Sequence, residues 1–310
     1  MLSATNIARL LNKPTGRHET VRLFDVVDRQ LLVAALFLLG LGLVMVGSAS
    51  TSVAEQMMDD PFYFFWRQLA YMGLGLIAAG VILRVPMAIW EKSGVSLILL
   101  SILLLMLVFI PGLGREVNGS QRWIMLGPVS VQVSEFVKLF SVIYLGGYLI
   151  RHQGEVRSRV VGFLRPLVLL TLLGLLLLLE PDYGAVVVLF LTAFGMMWLA
   201  GVRFTQFMLL LMSLTSALAL LALTSPYRLQ RLTTFLNPWA DPYDSGFQLT
   251  QALIAFGRGE WFGVGLGASI QKLFYLPEAH TDFLFAVMAE ELGLLVVLLV
   301  VLTYLFVIYK

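Results

Sequence analysis

The sequence predicts an all-α polytopic integral membrane protein. Of its 310 residues, 59% are hydrophobic and only 13% are charged, whereas a soluble domain carries about 25% charged residues. The apolar residues also fall in long uninterrupted blocks, and a helix needs about 20 such residues to cross the hydrocarbon layer. A soluble protein is therefore excluded.

Eight of these apolar blocks are predicted to be transmembrane helices, and a large external loop, 224–282, separates the seventh from the eighth. This loop is too rich in leucine and aromatic residues to be disordered. In chain order, the predicted spans are 31–48, 64–83, 95–110, 136–150, 166–179, 183–200, 204–223 and 283–309.

The distribution of Lys and Arg predicts the orientation, because cytoplasmic segments of membrane proteins carry an excess of both. The N-terminal tail, 1–30, and the link after the fourth span, 151–165, are both rich in Arg. We therefore expect the tail to be cytoplasmic and 224–282 to be external. The remainder of the chain, 31–310, is expected to form a single transmembrane domain.

The composition excludes several kinds of site. The chain has no Cys, so disulfides, iron–sulfur clusters and thiol catalysis are excluded. Its three His residues, His18, His152 and His280, are far apart in the sequence, which argues against a zinc site. The net charge of +2 is too small and too scattered for nucleic-acid binding.

Two external segments, 111–135 and 224–282, carry basic residues against the charge rule. Long loops can be exported whatever their charge, so simple tolerance is one interpretation; an ordered basic loop also suits an anionic ligand near the membrane. Within the second segment, 245–256 predicts a short amphipathic helix that ends at Gly257 and either lies in the interface or packs on the bundle. The glycines of 263–267 predict a flexible turn.

Charged residues within or beside spans need a partner or a task, because each costs about 2.5–3.5 kcal/mol on insertion. Glu135 and Lys138 are one helical turn apart, so an intrahelical ion pair accounts for them. Glu290 and Glu291 are expected to form interhelical hydrogen bonds. Asp282 opens the eighth span, where helix capping and catalysis fit the residue pattern equally well.

Four motifs occur together in this chain. They are NGSQRW at 118–123, SEFVK at 134–138, EPDYG at 180–184, which predicts a tight external turn, and YLPEAHTDFLFAVMAEELG at 275–293. Together they resemble the SEDS family (shape, elongation, division and sporulation proteins), and 237–251 is most similar to its division-type member. The family has ten spans, of which the resemblance covers the eight predicted here.

The resemblance implies that the chain is a lipid II-using peptidoglycan glycosyltransferase. Lipid II is a disaccharide-peptide on undecaprenyl pyrophosphate, and the implied reaction joins its sugars into β-1,4 glycan strands with inversion and release of undecaprenyl pyrophosphate. Inversion needs a base at the attacking hydroxyl and positive charge at the leaving pyrophosphate. The implied catalytic base is Asp282, and the implied substrate-binding residues are Arg122, Glu135, Lys138, Gln271, Lys272 and His280.

The resemblance also implies partners and a location. The expected partners are a class B penicillin-binding transpeptidase, other membrane proteins of the division complex, and membrane lipid, at the septum of the bacterial inner membrane. A divalent cation, Mg²⁺ or Mn²⁺, would suit a pyrophosphate, but the sequence shows no cluster of metal ligands. Two other functions remain open at this point: a lipid II flippase with Glu290 lining a cavity, and a non-catalytic scaffold.

The absence of cysteine makes the orientation directly testable. Ser245→Cys should react with a membrane-impermeant maleimide added to intact spheroplasts, whereas Thr15→Cys should not, because 224–282 is predicted to be outside and the tail inside. Labelling is measured as a mass shift of the protein, with the cysteine-free parent as the blank. Reversed labelling of the two variants would contradict the orientation.

Overall fold

The computed structural model describes residues 28–117, 120–126, 129–223 and 226–310. These residues belong to two compact units. Unit 1 is made by the chain up to Gly80 together with Arg231–Lys310, and unit 2 is Val81–Gln230. Most of the predicted cytoplasmic tail, and Asn118 and Gly119 of the first motif, lie outside the described residues.

Helices dominate the structure and lie where the apolar blocks predict them. The eight long ones differ from the predicted spans mainly at their ends; α1, for example, continues past Ser48 to Met58. In chain order, the helices of the described residues are α1 (Arg29–Met58), α2 (Tyr63–Ile82), α3 (Met87–Val108), α4 (Val133–Arg151), α5 (Gln153–Ser158), α6 (Val160–Leu179), α7 (Tyr183–Leu199), α8 (Phe204–Leu223), α9 (Pro226–Leu236), α10 (Phe247–Gly259) and α11 (Leu284–Tyr309).

Six of these helices are long and apolar enough to cross a membrane, judged by length and composition over the described residues. They are α1, α2, α3, α4, α6 and α11. The helix α7 has 17 residues, which at 1.5 Å per residue is shorter than the roughly 30 Å of hydrocarbon. A multi-pass helical protein is therefore confirmed, whereas the predicted number of eight spans is supported for six.

The prediction of an all-α fold is wrong in one segment, which forms a small antiparallel sheet. Its strands are β1 (Gly114–Val117), β2 (Ser120–Leu126) and β3 (Val129–Gln132), in the order β1-β2-β3. Trp123 pairs with Arg115 on one side and with Gln132 on the other. Such short strands depend on their neighbours for hydrogen bonds, and β3 leads directly into α4.

The core of unit 2 is built from α3, α4, α6 and α7, which bury mainly leucine and valine. The helix α6 starts at Val160, ahead of the predicted start at Pro166. A proline inside a helix leaves the carbonyl four residues earlier without its N–H donor, and here that carbonyl belongs to Gly162. The Tyr148 hydroxyl donates to it at 2.8 Å, so the proline is accommodated without an unpaired carbonyl.

The core of unit 1 joins α1, α10 and α11 through apolar side chains, among them Met45, Ala255 and Val287. The helix α10 confirms the amphipathic helix predicted at 245–256. It continues past Gly257 to Gly259, so Gly257 does not end it as expected; the chain turns only at Glu260, which adopts a positive φ of 45°.

The helix α11 is interrupted at Gly293, whose backbone (φ 77°, ψ 177°) is not helical. The segment after α10 supplies the missing hydrogen bonds. Val264 N donates to the Glu290 carbonyl at 2.9 Å and Leu294 N donates to the Glu260 carbonyl at 2.9 Å. A Cβ at Gly293 would collide with the backbone of Gly263. The segment 263–267 is predicted from the sequence to be a flexible turn. Its first residues, 263–265, are instead held in place by their contacts with the break in α11.

Candidate functional site

Asp282, the predicted catalytic base, lies in the turn that leads into α11. Phe283 is the N-cap of this helix, and no side chain caps it. Asp282 is exposed, and over the described part of the chain its carboxylate accepts no hydrogen bond and forms no ion pair. The capping interpretation is therefore wrong, and both carboxylate oxygens are available to a ligand.

An open apolar groove of about 450 Å³ adjoins Asp282 within unit 1. Thr281 and Asp282 contribute its polar edge, and the walls come from α1 and α11 through residues such as Leu41, Met45 and Phe285. The carboxylate therefore lies where a polar surface meets an apolar one.

The other predicted site residues of unit 1 lie on the segment before Asp282. Gln271 is buried, and its Oε1 has no partner among the described residues. The His280 ring packs on Phe64 with 4.9 Å between ring centroids, and its Nδ1 is also buried without a described partner. Each of these two side chains therefore keeps a buried polar atom that is not used within the described structure.

Lys272 differs from its neighbours because its ammonium is already engaged. The Nζ donates to Glu291 Oε1 at 2.8 Å and to Ser48 Oγ at 3.0 Å, and only 6% of the side chain is exposed. In this arrangement Lys272 faces α1 and α11. Its predicted contact with substrate remains a prediction.

Glu291 forms an interhelical hydrogen bond as predicted, to Ser48 of α1. The hydrogen bonds of Glu290 go instead to residues 269–271 of the preceding segment and not to a neighbouring α-helix. Both carboxylates are buried, with Glu290 0% and Glu291 1% exposed. Glu290 Oε2 accepts from Ser269 Oγ at 2.5 Å, and Arg258 Nε lies 3.6 Å from Glu290 Oε1. Glu291 Oε2 accepts from Ser48 Oγ at 2.7 Å. Each carboxylate therefore has its own cation and its own serine.

The sequence reasoning missed Ser48, Ser269 and Arg258 as members of this network. A serine in an apolar helix usually bonds to its own helix backbone, so nothing about Ser48 marks it as special. The available signal was the pair of acidic residues in the eighth span, because two buried carboxylates require two cations. Lys272 and Arg258, from the segment that precedes α11, are the cations that meet this requirement.

In unit 2, Arg122 holds the Glu180-Pro181-Asp182 turn against the sheet. Its Nη2 donates to the Pro181 carbonyl at 2.6 Å and to Ser120 Oγ at 3.0 Å, and its Nε donates to the Glu180 carbonyl at 3.4 Å. The Nη1 lies 3.7 Å from Asp182 Oδ1. Most of the guanidinium donors are thus used within the protein, and the predicted contact with pyrophosphate is left to Nη1.

Glu135 and Lys138 form the intrahelical ion pair that their spacing predicts, with 2.8 Å between Lys138 Nζ and Glu135 Oε1. Glu135 lies in the first turn of α4, where a carboxylate is favoured by the helix dipole. The pair is accessible, with 59% of the Glu135 side chain and 24% of the Lys138 side chain exposed. Lys138 keeps two N–H donors for a ligand.

The two acids of the predicted external turn have different tasks. Asp182 is the N-cap of α7, and its Oδ1 accepts from Ala185 N at 3.2 Å. Glu180 is 1% exposed, and neither of its carboxylate oxygens has a partner among the described residues. Burial, with a further contribution from the Asp182 carboxylate and opposed by Arg122, raises the pKa of Glu180 to about 8. Glu180 is therefore largely protonated at neutral pH.

The same two acids are the natural place to look for a divalent cation, because three of their oxygens are buried and unpartnered in the described structure. They offer only two carboxylates, and the Arg122 guanidinium already supplies positive charge to one of them, Asp182. Within the described ranges, moreover, no group of three or more His, Cys, Asp or Glu residues is arranged to hold a metal.

The buried Glu180 predicts a distinctive pH dependence of stability. Its folded pKa lies above its unfolded value, so the folded state keeps a proton that the unfolded state loses between about pH 4.5 and 8. Stability therefore falls with rising pH across this window, by about 1.4 kcal/mol per pH unit for one such group. Glu180→Gln carries no titrating proton, so its melting temperature relative to wild type should rise from pH 5 to pH 8 and then level off.

Thermal unfolding in detergent between pH 5 and 9 measures this difference. Glu116→Gln makes the same chemical change at an exposed carboxylate of unit 2 and provides the baseline. A difference between Glu180→Gln and wild type that does not change with pH would show that Glu180 is not held protonated in the folded protein.

The chain is similar to proteins of a known family. The family model described as cell cycle protein, covering FtsW, RodA and SpoVE, matches residues 29–310. A probable peptidoglycan glycosyltransferase FtsW from Nitrosococcus halophilus is 58% identical over 283 residues, which cover 91% of this chain and 73% of the relative. The protein of the same name from Thioalkalivibrio sulfidiphilus is 55% identical over 292 residues, 94% of this chain and 73% of the relative.

Two solved structures are similar in fold as well. A peptidoglycan synthase complex, described as coordinating polymerization and crosslinking, matches with a TM-score of 0.70 and 27% identity over 90% of this chain and 75% of the other. The rod shape determining protein RodA of Thermus thermophilus matches with a TM-score of 0.62 and 26% identity over 90% of this chain and 72% of the other. This chain belongs to the FtsW/RodA/SpoVE family of cell cycle proteins.

Proposed function

We propose that this chain polymerises lipid II into β-1,4 glycan strands, with inversion at the anomeric carbon and release of undecaprenyl pyrophosphate, for septal wall synthesis. It is a peptidoglycan glycosyltransferase of the FtsW type, as its relatives at 50–58% identity are named. The single observation that supports the mechanism is the unpaired, exposed carboxylate of Asp282, which precedes α11 at the edge of an apolar groove.

The stereochemistry determines what the site must do. The donor carries an α-linked pyrophosphate and the product linkage is β, so one direct displacement inverts the anomeric carbon. The acceptor 4-hydroxyl must lose a proton as it attacks, and a positioned carboxylate is a suitable base. Both carboxylate oxygens of Asp282 are free within the described part of the chain. Glu290 and Glu291 already accept hydrogen bonds from other residues, and Glu180 is protonated and cannot accept a further proton.

Positive charge at the leaving pyrophosphate is the second requirement. Lys138 suits this role best in unit 2, because it is accessible and two of its three donors are free. Arg122 contributes in a different way, by holding the 180–182 turn through its carbonyl contacts. No step of this mechanism requires a metal ion.

The membrane location follows from the family and from the apolar helices. The chain is a multi-pass protein of the bacterial inner membrane. We propose further that its N-terminus is cytoplasmic and that it acts at the division septum. The basic residues of the tail and the identity to FtsW proteins support these two points.

The lipid II flippase considered above is not favoured by the geometry around Glu290. A transport route needs a polar residue that lines a water-filled cavity. Glu290 is 0% exposed, and its oxygens accept from Ser269, Ile270 and Gln271. Glu290 therefore fastens a loop to a helix and lines no passage.

Replacement of the base gives the principal test of the proposed function. Asp282→Asn keeps the size of the side chain and removes its basicity, so the rate of lipid II polymerisation should fall by about 10²–10⁴-fold. The rate is measured as glycan formed per folded protein, with the transpeptidase partner present. Asp244→Asn, at another exposed carboxylate of the same loop, is the matched control and should stay within a few-fold of wild type. Activity of Asp282→Asn close to wild type would exclude Asp282 as the base.

A class B penicillin-binding transpeptidase is the proposed partner, since a similar solved structure is a complex for polymerization and crosslinking. We propose that the contact lies on the last spans, here α11, as the family resemblance implies. The small residues of α11, such as Ala286 and Ala289, are buried inside unit 1. The outer face of α11 therefore presents leucine and valine, which pack by interdigitation and not by close backbone approach.

This contact predicts a difference between two leucines of equal exposure. Leu298 on α11 is 44% exposed and Leu76 on α2 is 45% exposed. Leu298→Trp should weaken co-purification with the transpeptidase because a larger side chain disturbs the packed face, whereas Leu76→Trp should not. The assignment would be contradicted if only the Leu76 variant lost co-purification. It would also be contradicted if the wild-type protein did not co-purify with the transpeptidase.

A further inference from the structure

Asp282 is carried by a loop whose two ends are fastened to each other. We name residues 269–291 the Asp282 loop. At its base, Ile270 N donates to Glu290 Oε1 at 3.2 Å and Gln271 N donates to Glu290 Oε2 at 3.3 Å. The chain leaves this base, passes through Asp282 and returns along the first turns of α11 to Glu290. The position of Asp282 is thus determined by the bonds at the base.

A buried ion pair completes the base of the Asp282 loop. Lys272 Nζ and Glu291 Oε1 are 2.8 Å apart, and their side chains are 6% and 0% exposed. Ser48 of α1 contacts both, at 3.0 Å from Nζ and 2.7 Å from Glu291 Oε2. Charges this deeply buried persist only when each has its partner, and removal of one partner alone is strongly destabilising. The pair therefore ties the entry of the loop to α11 and to α1 together.

We propose that Lys272 is a positioning residue, which holds Asp282 in place through Glu291 and Ser48 and does not bind the substrate pyrophosphate. This inference rests on the proposed role of Asp282 as the base. Two of the three ammonium donors are spent on Glu291 and Ser48. A contact with pyrophosphate would require Lys272 to leave Glu291 as an unpaired buried carboxylate, which is costly.

Removing the charges of both Lys272 and Glu291 distinguishes a positioning role of Lys272 from a role in substrate binding. Lys272→Met alone leaves Glu291 unpaired, and kcat per folded protein should fall on the order of 10–100-fold, since a misplacement of about 1 Å can cost that much. The double variant Lys272→Met with Glu291→Gln has no unpaired charge, and the amide that replaces the carboxylate can still bond to Ser48. It should recover folded yield and return kcat to within a few-fold of wild type, with KM unchanged.

Steady-state polymerisation of lipid II, normalised to folded protein, decides between the outcomes. A double variant that folds but remains as inactive as Lys272→Met, or that shows a raised KM, would assign Lys272 to the substrate and overturn the proposal. Full kcat per folded molecule in Lys272→Met would also overturn it, because the pair would then contribute stability alone.

Two further variants keep the test decisive. If Lys272→Met gives no folded protein, Ser48→Ala replaces it: this variant keeps both charges but loses the tie to α1, so kcat should fall with KM unchanged, and a normal kcat would overturn the proposal. In an Asp282→Asn background, Lys272→Met should cause no further loss of rate, because a positioning residue acts only through the residue that it positions. An Asp282→Asn variant with wild-type activity would instead reject the proposed base itself.

Discussion

A backbone N–H or C=O group in the hydrocarbon layer must find its hydrogen-bond partner inside the protein, because the layer itself offers none. The break in α11 at Gly293 is where this constraint determines the structure of unit 1. Two carbonyls before the break and two amides after it would be unpaired, and the segment 260–265 bonds to all four. That segment can approach closely only because Gly263 and Gly293 lack a Cβ. The packing of α10 against α11 and the path of the chain toward Asp282 both follow from these hydrogen bonds between segment 260–265 and the broken helix.

Acidic side chains meet a similar constraint in three different ways. Glu290 and Glu291 are neutralised by cations and by hydroxyl and amide donors. Glu180 has no cation of its own and remains neutral by keeping its proton. Asp282 lies at the surface, where water satisfies it, and its carboxylate remains reactive. This contrast is the reason that Asp282, and none of the three buried acids, is the residue we propose as the base.

The helices were predictable because an apolar block of sufficient length determines its own structure, and the eight long helices lie at the predicted positions. The hydrogen-bonding role of Glu290 and Glu291 also followed from the cost of burying them. The sheet at 114–132 could not be predicted, because strands of four to seven residues are stabilised by neighbours rather than by their own sequence pattern. The contact between Lys272 and Ser48 could not be predicted either, since Ser48 lies 224 residues away in the sequence. Capping and catalysis occupy the same sequence position, so only the geometry of Asp282 separates them.

The division of the chain into units has a consequence for biogenesis. Unit 2 is one continuous stretch, Val81–Gln230, so its core can assemble as soon as that stretch has been inserted. Unit 1 joins the first part of the chain to Arg231–Lys310, so Ser48 has to wait for Lys272 and Glu291. At about 5–20 residues per second, the ribosome needs roughly 11–45 seconds to extend the chain from Ser48 to Lys272, which lies 224 residues later. During this interval α1 is already in the membrane without its partner helix, and a membrane chaperone would have most to protect at this stage.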